Sequence, residues 1–247
     1  KIKIQRIMSW GNDFDEEKLT EMITRRVRVE KVAIKDVKLR TFITEDTSRN
    51  EMVQHVYDVT YGTVTKHQDT LIVIDDSIVR GTTLKESIVR MLGRLQPKKI
   101  IVVSSAPQIR YPDCYGIDMS KLGDFIAFRA AIELWKERNK EHCLQELYNK
   151  CKELDRTGNL QSENIVQQIY KPFSTTELSN KIAELITPKG FSIPVQVIFQ
   201  TIESLHKACP TNTGDWYFTG NYPTAGGNRV VNKAFLNYME GKNVRGY

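Results

Sequence analysis

The chain has 247 residues, 40% hydrophobic and 27% charged, which fits one large or two small globular domains and excludes a low-complexity polypeptide. Its formal charge of +6 suits an anionic ligand, but the 36 basic residues are interspersed with 30 acidic ones and no basic–aromatic stacking motif occurs, which argues against nucleic acid. No apolar run reaches the roughly 18 residues of a membrane span, and the start, Lys1-Ile-Lys-Ile-Gln-Arg-Ile-Met, is too short and interrupted for a signal peptide, so a cytoplasmic location is expected.

In chain order, Ile2, Ile4 and Ile7 predict a strand ending near Trp10-Gly11-Asn12-Asp13. Leu19, Met22, Ile23 and Val27 have helical spacing over 16–28, and Val32, Ile34, Val37 and 39–43 read as extended. Residues 44–68 are polar and broken, and 44–66 is expected to be a flexible functional loop. Leu71 to Ile74, rich in β-branched residues, predicts a buried parallel strand. Leu84, Ile88, Met91, Leu92 and Leu95 predict an amphipathic helix stopped by Pro97, and Lys99 to Ser105 a second strand, giving a right-handed βαβ unit. Beyond Asp118 helix formers dominate: 124–148 carries Phe128, Ala131, Ile132 and Trp135 on one face. Ser174-Thr-Thr-Glu177 is a capping box for a helix that Pro188 ends, and Pro194 is expected to open another helix through Cys209. After the turn-rich stretch 210–228, a last helical pattern includes Val230, Val231, Ala234, Phe235, Tyr238 and Met239.

The chemistry concentrates in Leu71-Ile-Val-Ile-Asp75-Asp76-Ser77-Ile78-Val79-Arg80-Gly81-Thr82-Thr83. Loops at the carboxyl ends of parallel strands are where open α/β sheets bind ligands. Asp75 and Asp76 would there accept hydrogen bonds from ribose hydroxyls and hold Mg²⁺, and the turn after them would offer N–H groups and hydroxyls to a phosphate at a helix start. Cys114, Cys143, Cys151 and Cys209 are few and irregularly spaced, and His55, His67, His142 and His206 show no ligand spacing, so reduced thiols and no histidine metal site are expected.

This run resembles the phosphoribosyl pyrophosphate (PRPP) signature of the type I phosphoribosyltransferases, and in its narrower form that of the amidophosphoribosyltransferase family, which transfers ammonia from glutamine to PRPP in the first step of purine synthesis. Two flanking blocks carry the same resemblance: Arg40-Thr41-Phe42-Ile43 upstream, and Ser104-Ser105-Ala106-Pro107-Gln108-Ile109-Arg110-Tyr111-Pro112 with Tyr115-Gly116-Ile117-Asp118-Met119 downstream. The resemblance implies an α/β fold: an incomplete phosphoribosyltransferase core over 1–127, a parallel sheet with flanking helices, and a mostly helical carboxyl-terminal extension over 128–247. It implies Arg40 and Arg49 as catalytic groups on the pyrophosphate, Asp75 and Asp76 on Mg²⁺ and ribose, and Ser77, Ile78, Val79, Arg80, Gly81, Thr82 and Thr83 around the 5′-phosphate. Pro107, Arg110 and Tyr111 match the block beside the family's active site, where lining an ammonia channel or merely shaping a strand-end turn are equally open.

Departures from the family pattern set further expectations. Some relatives carry an iron–sulfur cluster on a Cys-x-x-Cys before Phe-Thr-Gly-x-Tyr-Pro; here Gly214 and Tyr217 precede Phe218-Thr219-Gly220-Asn221-Tyr222-Pro223 in those places, so no cluster is expected. The family's glutaminase half begins with a nucleophilic cysteine, whereas residue 1 is Lys1 and no cysteine precedes Cys114. The chain is therefore expected to be the carboxyl-terminal part of a longer protein, inactive in isolation, receiving ammonia from a glutaminase domain, regulated by purine nucleotides and homo-oligomeric. The alternative is a non-catalytic PRPP- or nucleotide-binding regulatory module.

Overall fold

The structure, a computed structural model, describes residues 16–24, 29, 33–35, 57–114, 119–211 and 214–246. Helix α1 (Glu16–Thr24) falls within the predicted 16–28. Strand β1 (Ala33–Lys35) pairs antiparallel with β2 (Tyr57–Val59), a strand inside the stretch that reads as loop in the sequence. The remainder of that stretch is tied down near its end: Val64 is buried, the Thr65 N–H donates to Asp69 Oδ2 (2.8 Å), and the His67 N–H donates to the Gln96 carbonyl (2.7 Å). The strand expected at 2–7 lies outside the described residues.

A three-stranded parallel sheet, β3 (Thr70–Asp75), β4 (Lys99–Ser104) and β5 (Val195–Phe199), organises the rest. The register sets Asp75 beside Ser104 and Ser104 beside Phe199, so all three strands end on one line. Period-2 geometry puts Leu71, Val73, Ile100, Val102, Val195 and Val197 on one face, where Ile100 and Val102 are fully buried. Among the described residues nothing covers the opposite face, where Ile72 is 63% exposed, Ile74 74% and Ile198 43%. The sequence expectation of a strand buried on both sides is thus corrected. Among the described residues β3 is a parallel strand at the sheet's edge with one wet face, and an unbroken apolar run cannot by itself reveal that difference. A second correction concerns Pro194. It precedes the strand β5 instead of opening a helix, because proline is tolerated just ahead of a strand as well as at a helix start, and the helix (α7, Ile202–Ala208) begins only after Thr201 caps it.

The βα crossover from β3 starts as a π-turn (Leu84–Val89) and continues as α2 (Arg90–Gly93). The wide turn inserts one residue into the helical ladder. Leu84, Val89 and Leu92 therefore point inward, and the predicted inward residue Ile88 is only half-buried. The helical formers of 124–148 divide into α3 (Ile126–Glu137) and α4 (Glu141–Arg156) at Asn139, whose φ of 53° is the left-handed value asparagine accepts. Helices α5 (Gln167–Tyr170), α6 (Thr175–Ile186), α8 (Trp216–Thr219) and α9 (Ala225–Met239) complete the helices of the described residues. The capping box is present: Ser174 Oγ accepts from the Glu177 N–H (3.1 Å), and Glu177 Oε2 accepts from the Ser174 N–H (2.9 Å). Leu178, Ile182 and Ile186 of α6 are fully buried, and α6 packs on α3, β5 and the π-turn.

Both halves of the chain contribute to one hydrophobic cluster, from Val64 to Leu236. Its polar hub is Asn232, fully buried on α9. Its Oδ1 accepts from the Ile165 N–H (3.0 Å), and its Nδ2 donates to the carbonyls of Leu160 (2.8 Å) and Glu163 (2.7 Å). Trp135 Nε1 likewise donates to the Ile169 carbonyl (2.9 Å). No helix among the described residues is long and apolar enough to cross a membrane.

Candidate functional site

Past the common end of β3 and β4 the two segments are stitched together. The N–H and Oγ of Ser105 both donate to the Asp75 carbonyl at 2.9 Å, and the Ala106 N–H donates to the Asp76 carbonyl at 3.0 Å. These bonds fix the backbone and leave the two carboxylates at the strand ends, Asp75 half-buried and Asp76 exposed. The Asp76 N–H donates to Asp75 Oδ1 (3.0 Å), and Ser77 Oγ donates to Asp76 Oδ1 (3.3 Å). Burial pushes the Asp75 carboxyl above the ordinary aspartate value; the Asp76 N–H pulls it back, and the Asp76 charge adds to the rise. A cation would relieve both the desolvation and the repulsion.

Among the described residues no group of three or more His, Cys, Asp or Glu stands together to hold a metal. Two adjacent carboxylates alone suit Mg²⁺, which keeps waters and takes substrate phosphate oxygens alongside one or two protein carboxylates. They do not suit a structural zinc site, which needs four N or S ligands.

The turn that follows offers its backbone. The N–H groups of Ser77 through Thr83 donate to no other described residue, and the first bond of the helix behind them runs from the Lys85 N–H to the Gly81 carbonyl (3.0 Å). Such donors at a helix start form an anion site. Ile78 is buried in the core and Val79 packs against it, so those side chains anchor the turn. Thr82 and Thr83 are exposed. Gly81 has φ 71°, and a Cβ there would stand 2.3 Å from Ile126 Cδ1, so the turn requires glycine twice over, for its dihedral and for its packing. The side chain of Arg80 is more than half exposed and pairs with Asp124 at 3.6 Å.

The structure thus brings together Asp75, Asp76 and the whole 77–83 turn. Arg40 and Arg49 lie outside the described residues. The downstream block is largely a strut. Buried Gln108 donates to the Thr175 carbonyl (3.0 Å) and Ser179 Oγ (2.9 Å) and accepts from Arg110 Nη2 (2.7 Å). Tyr111 is buried edge-on against Tyr170 (5.4 Å), and the N–H groups of Arg110 and Tyr111 donate to the Tyr217 carbonyl. Residues that sequence reasoning missed are Ile126 and Arg129, which hold the turn from the start of α3. No local motif marks them, because their partners are backbone atoms distant in sequence.

A parallel α/β sheet with paired carboxylates at its carboxyl edge and a turn of unaccepted amides beside them belongs to the class of open α/β folds whose ligand sites lie at their strand ends. Within that class, the chain resembles the carboxyl-terminal phosphoribosyltransferase portion of amidophosphoribosyltransferase. It is 52% identical over 63 residues to the amidophosphoribosyltransferase of Haemophilus influenzae and 48% identical over 63 residues to that of Pasteurella multocida, in each case 26% of this chain and 12% of the relative. Against that of Saccharomyces cerevisiae it is 39% identical over 87 residues, 33% of this chain and 17% of the relative. The chain therefore spans 12–17% of the length of these curated relatives. No family model matches. A solved glutamine PRPP amidotransferase from B. subtilis, complexed with ADP and GMP, aligns with a TM-score of 0.41 and 24% identity over 78% of this chain and 32% of that one.

Proposed function

We propose that this chain supplies the PRPP-binding part of an amidophosphoribosyltransferase, a cytoplasmic glycosyltransferase that forms 5-phosphoribosylamine at the start of purine synthesis. The observation that carries the reading is the run of unaccepted N–H groups at 77–83 directly behind Asp75 and Asp76. In this reading the 77–83 amides and the Thr82 and Thr83 hydroxyls bind the 5′-phosphate. Asp75 and Asp76 orient the ribose diol and are the residues that would hold Mg²⁺, which when bound supplies charge neutralisation for the departing pyrophosphate. Attack of ammonia at ribose C1 builds oxocarbenium-like charge, which the two carboxylates face. Catalysis then rests on positioning and electrostatics, with no covalent intermediate on the protein.

Arg40 and Arg49 are proposed to steady the pyrophosphate, and 44–66 to form the loop over it. Residues 1–127 then carry the site, and 128–247 form the extension that shares its core. Ammonia from a glutaminase domain, purine nucleotides as feedback inhibitors and a homo-oligomeric assembly complete the proposal.

The test is ammonia-dependent pyrophosphate release from PRPP with saturating Mg²⁺, in the protein carrying its natural upstream residues. Asp75→Asn and Asp76→Asn should each lower kcat/KM by about 100-fold, the ~3 kcal/mol that one such transition-state contact contributes, with the melting temperature held. Wild-type protein that binds PRPP but never turns it over would sink the enzyme reading in favour of a binding module.

A further inference from the structure

We infer that Arg129 is a positioning residue for the phosphate turn, an inference that rests on reading 77–83 as the phosphate-binding segment. Two successive carbonyls of that turn are tied to the start of α3. The Val79 carbonyl accepts from the Ile126 N–H at 2.8 Å, and the Arg80 carbonyl accepts from Arg129 Nη2 at 2.5 Å. A trans peptide is planar, and its N–H points opposite to its C=O. Holding these carbonyls toward α3 therefore turns the N–H groups of Arg80 and Gly81 away from α3, to the side where no described residue accepts them.

The two ties differ in kind. The first is backbone to backbone. The second depends on one side chain, and it guards the weaker peptide. Gly81 at φ 71° is the residue most free to let the Arg80–Gly81 plane flip, since glycine has no Cβ to oppose the alternative. A flip would point a carbonyl oxygen into the anion site and remove the Gly81 donor. A guanidinium on the carbonyl also polarises the peptide and makes the Gly81 N–H a stronger donor. The second contact of the segment with charge, Arg80 with Asp124 at 3.6 Å, joins two largely exposed side chains and does not constrain the peptide plane.

The experiment is amide NMR on the ¹⁵N-labelled chain, titrated with inorganic phosphate and separately with ribose 5-phosphate, for wild type, Arg129→Met, Arg129→Lys and Asp124→Asn. Arg129 is exposed, so its replacement opens no cavity. Wild type should show saturable shifts of the 78–83 amides. Arg129→Met should weaken binding about tenfold, the scale of one charge-assisted hydrogen bond. It should also broaden or displace the Gly81 amide before any phosphate is added, a change that loss of a distant charge would not produce. Arg129→Lys should recover part of both, and Asp124→Asn should leave both close to wild type. If wild type shows no shift at 77–83, the phosphate-binding reading fails and this inference with it. If wild type binds and Arg129→Met binds equally, with an unchanged Gly81 amide, Arg129 positions nothing and the phosphate reading stands. A fall in melting temperature in Arg129→Met that Arg129→Lys does not restore assigns Arg129 a structural role and overturns the inference alone.

Discussion

The turn at 77–83 and the helical core around Asn232 treat their polar groups in opposite ways. Around Asn232 the side-chain oxygen accepts one backbone N–H, and both amide hydrogens reach carbonyls. In the turn the carbonyls of Val79, Arg80 and Gly81 each accept a hydrogen bond, yet the N–H groups from Ser77 to Thr83 are left with no described partner. A buried donor without a partner costs on the order of 1–3 kcal/mol, so a chain leaves a row of them only where water or a ligand takes them up. The core around Asn232 satisfies both sides of its hydrogen bonds, whereas the turn fixes its acceptors and leaves its donors open.

The sharpest way to break this contrast is at the hub. Asn232→Ala strands the Ile165 N–H and two carbonyls inside the core and should cost about 3 kcal/mol or more of unfolding free energy. The folded fraction should still bind phosphate as wild type does. Denaturant melts with a phosphate titration below the transition measure both, and a loss under about 1 kcal/mol would remove Asn232 as the hub.

A smaller effect is expected from pH at the site. The Asp75 carboxyl sits above its ordinary value of 3.8 when folded. The folded state therefore holds a proton more tightly than the unfolded state, and its contribution to stability falls as pH rises from 3.8 through the raised value. Mg²⁺ affinity should rise over the same window, as the carboxylate becomes free to accept the ion. Asp75→Asn should flatten that segment of the stability–pH curve; a curve of unchanged slope in the variant would show that Asp75 does not titrate as described.

The smallest effect tests the two faces of the sheet with one substitution. Ile100→Val, on the buried face, should cost about 1 kcal/mol. Ile74→Val, 74% exposed on the open face, should change stability by less than about 0.5 kcal/mol. Equal costs would mean that the second face is covered in solution.

What the sequence disclosed follows from the range of each signal. Strands β3 and β4 and the cap of α6 were legible because a β-branched apolar run and a Ser-x-x-Glu spacing act within a few residues. The juxtaposition of Asp75, Asp76 and the 77–83 turn was legible because these residues are contiguous in the chain. Strand β5 was not, since proline ahead of an apolar run is compatible with either a strand or a helix start. The open face of Ile72 and Ile74 was not, since burial depends on what lies across the sheet. Asn232 and Arg129 were invisible for a similar reason: each acts on carbonyls or N–H groups far away in sequence, and side-chain identity does not announce a backbone partner.

The wide turn at Leu84–Val89 carries a consequence for how this chain tolerates changes of length. Leu84 and Val89, five residues apart, both face inward. Deleting one residue between them, for instance the half-buried Lys85, would leave four, the ordinary spacing of an α-helix, and both anchors would keep their direction. Elsewhere in a buried helix a one-residue deletion rotates everything downstream by about 100°. Here the segment behind the 77–83 turn holds a spare residue, making it a place where the reading frame of the core can absorb a codon lost without misaligning β4 and the strands beyond.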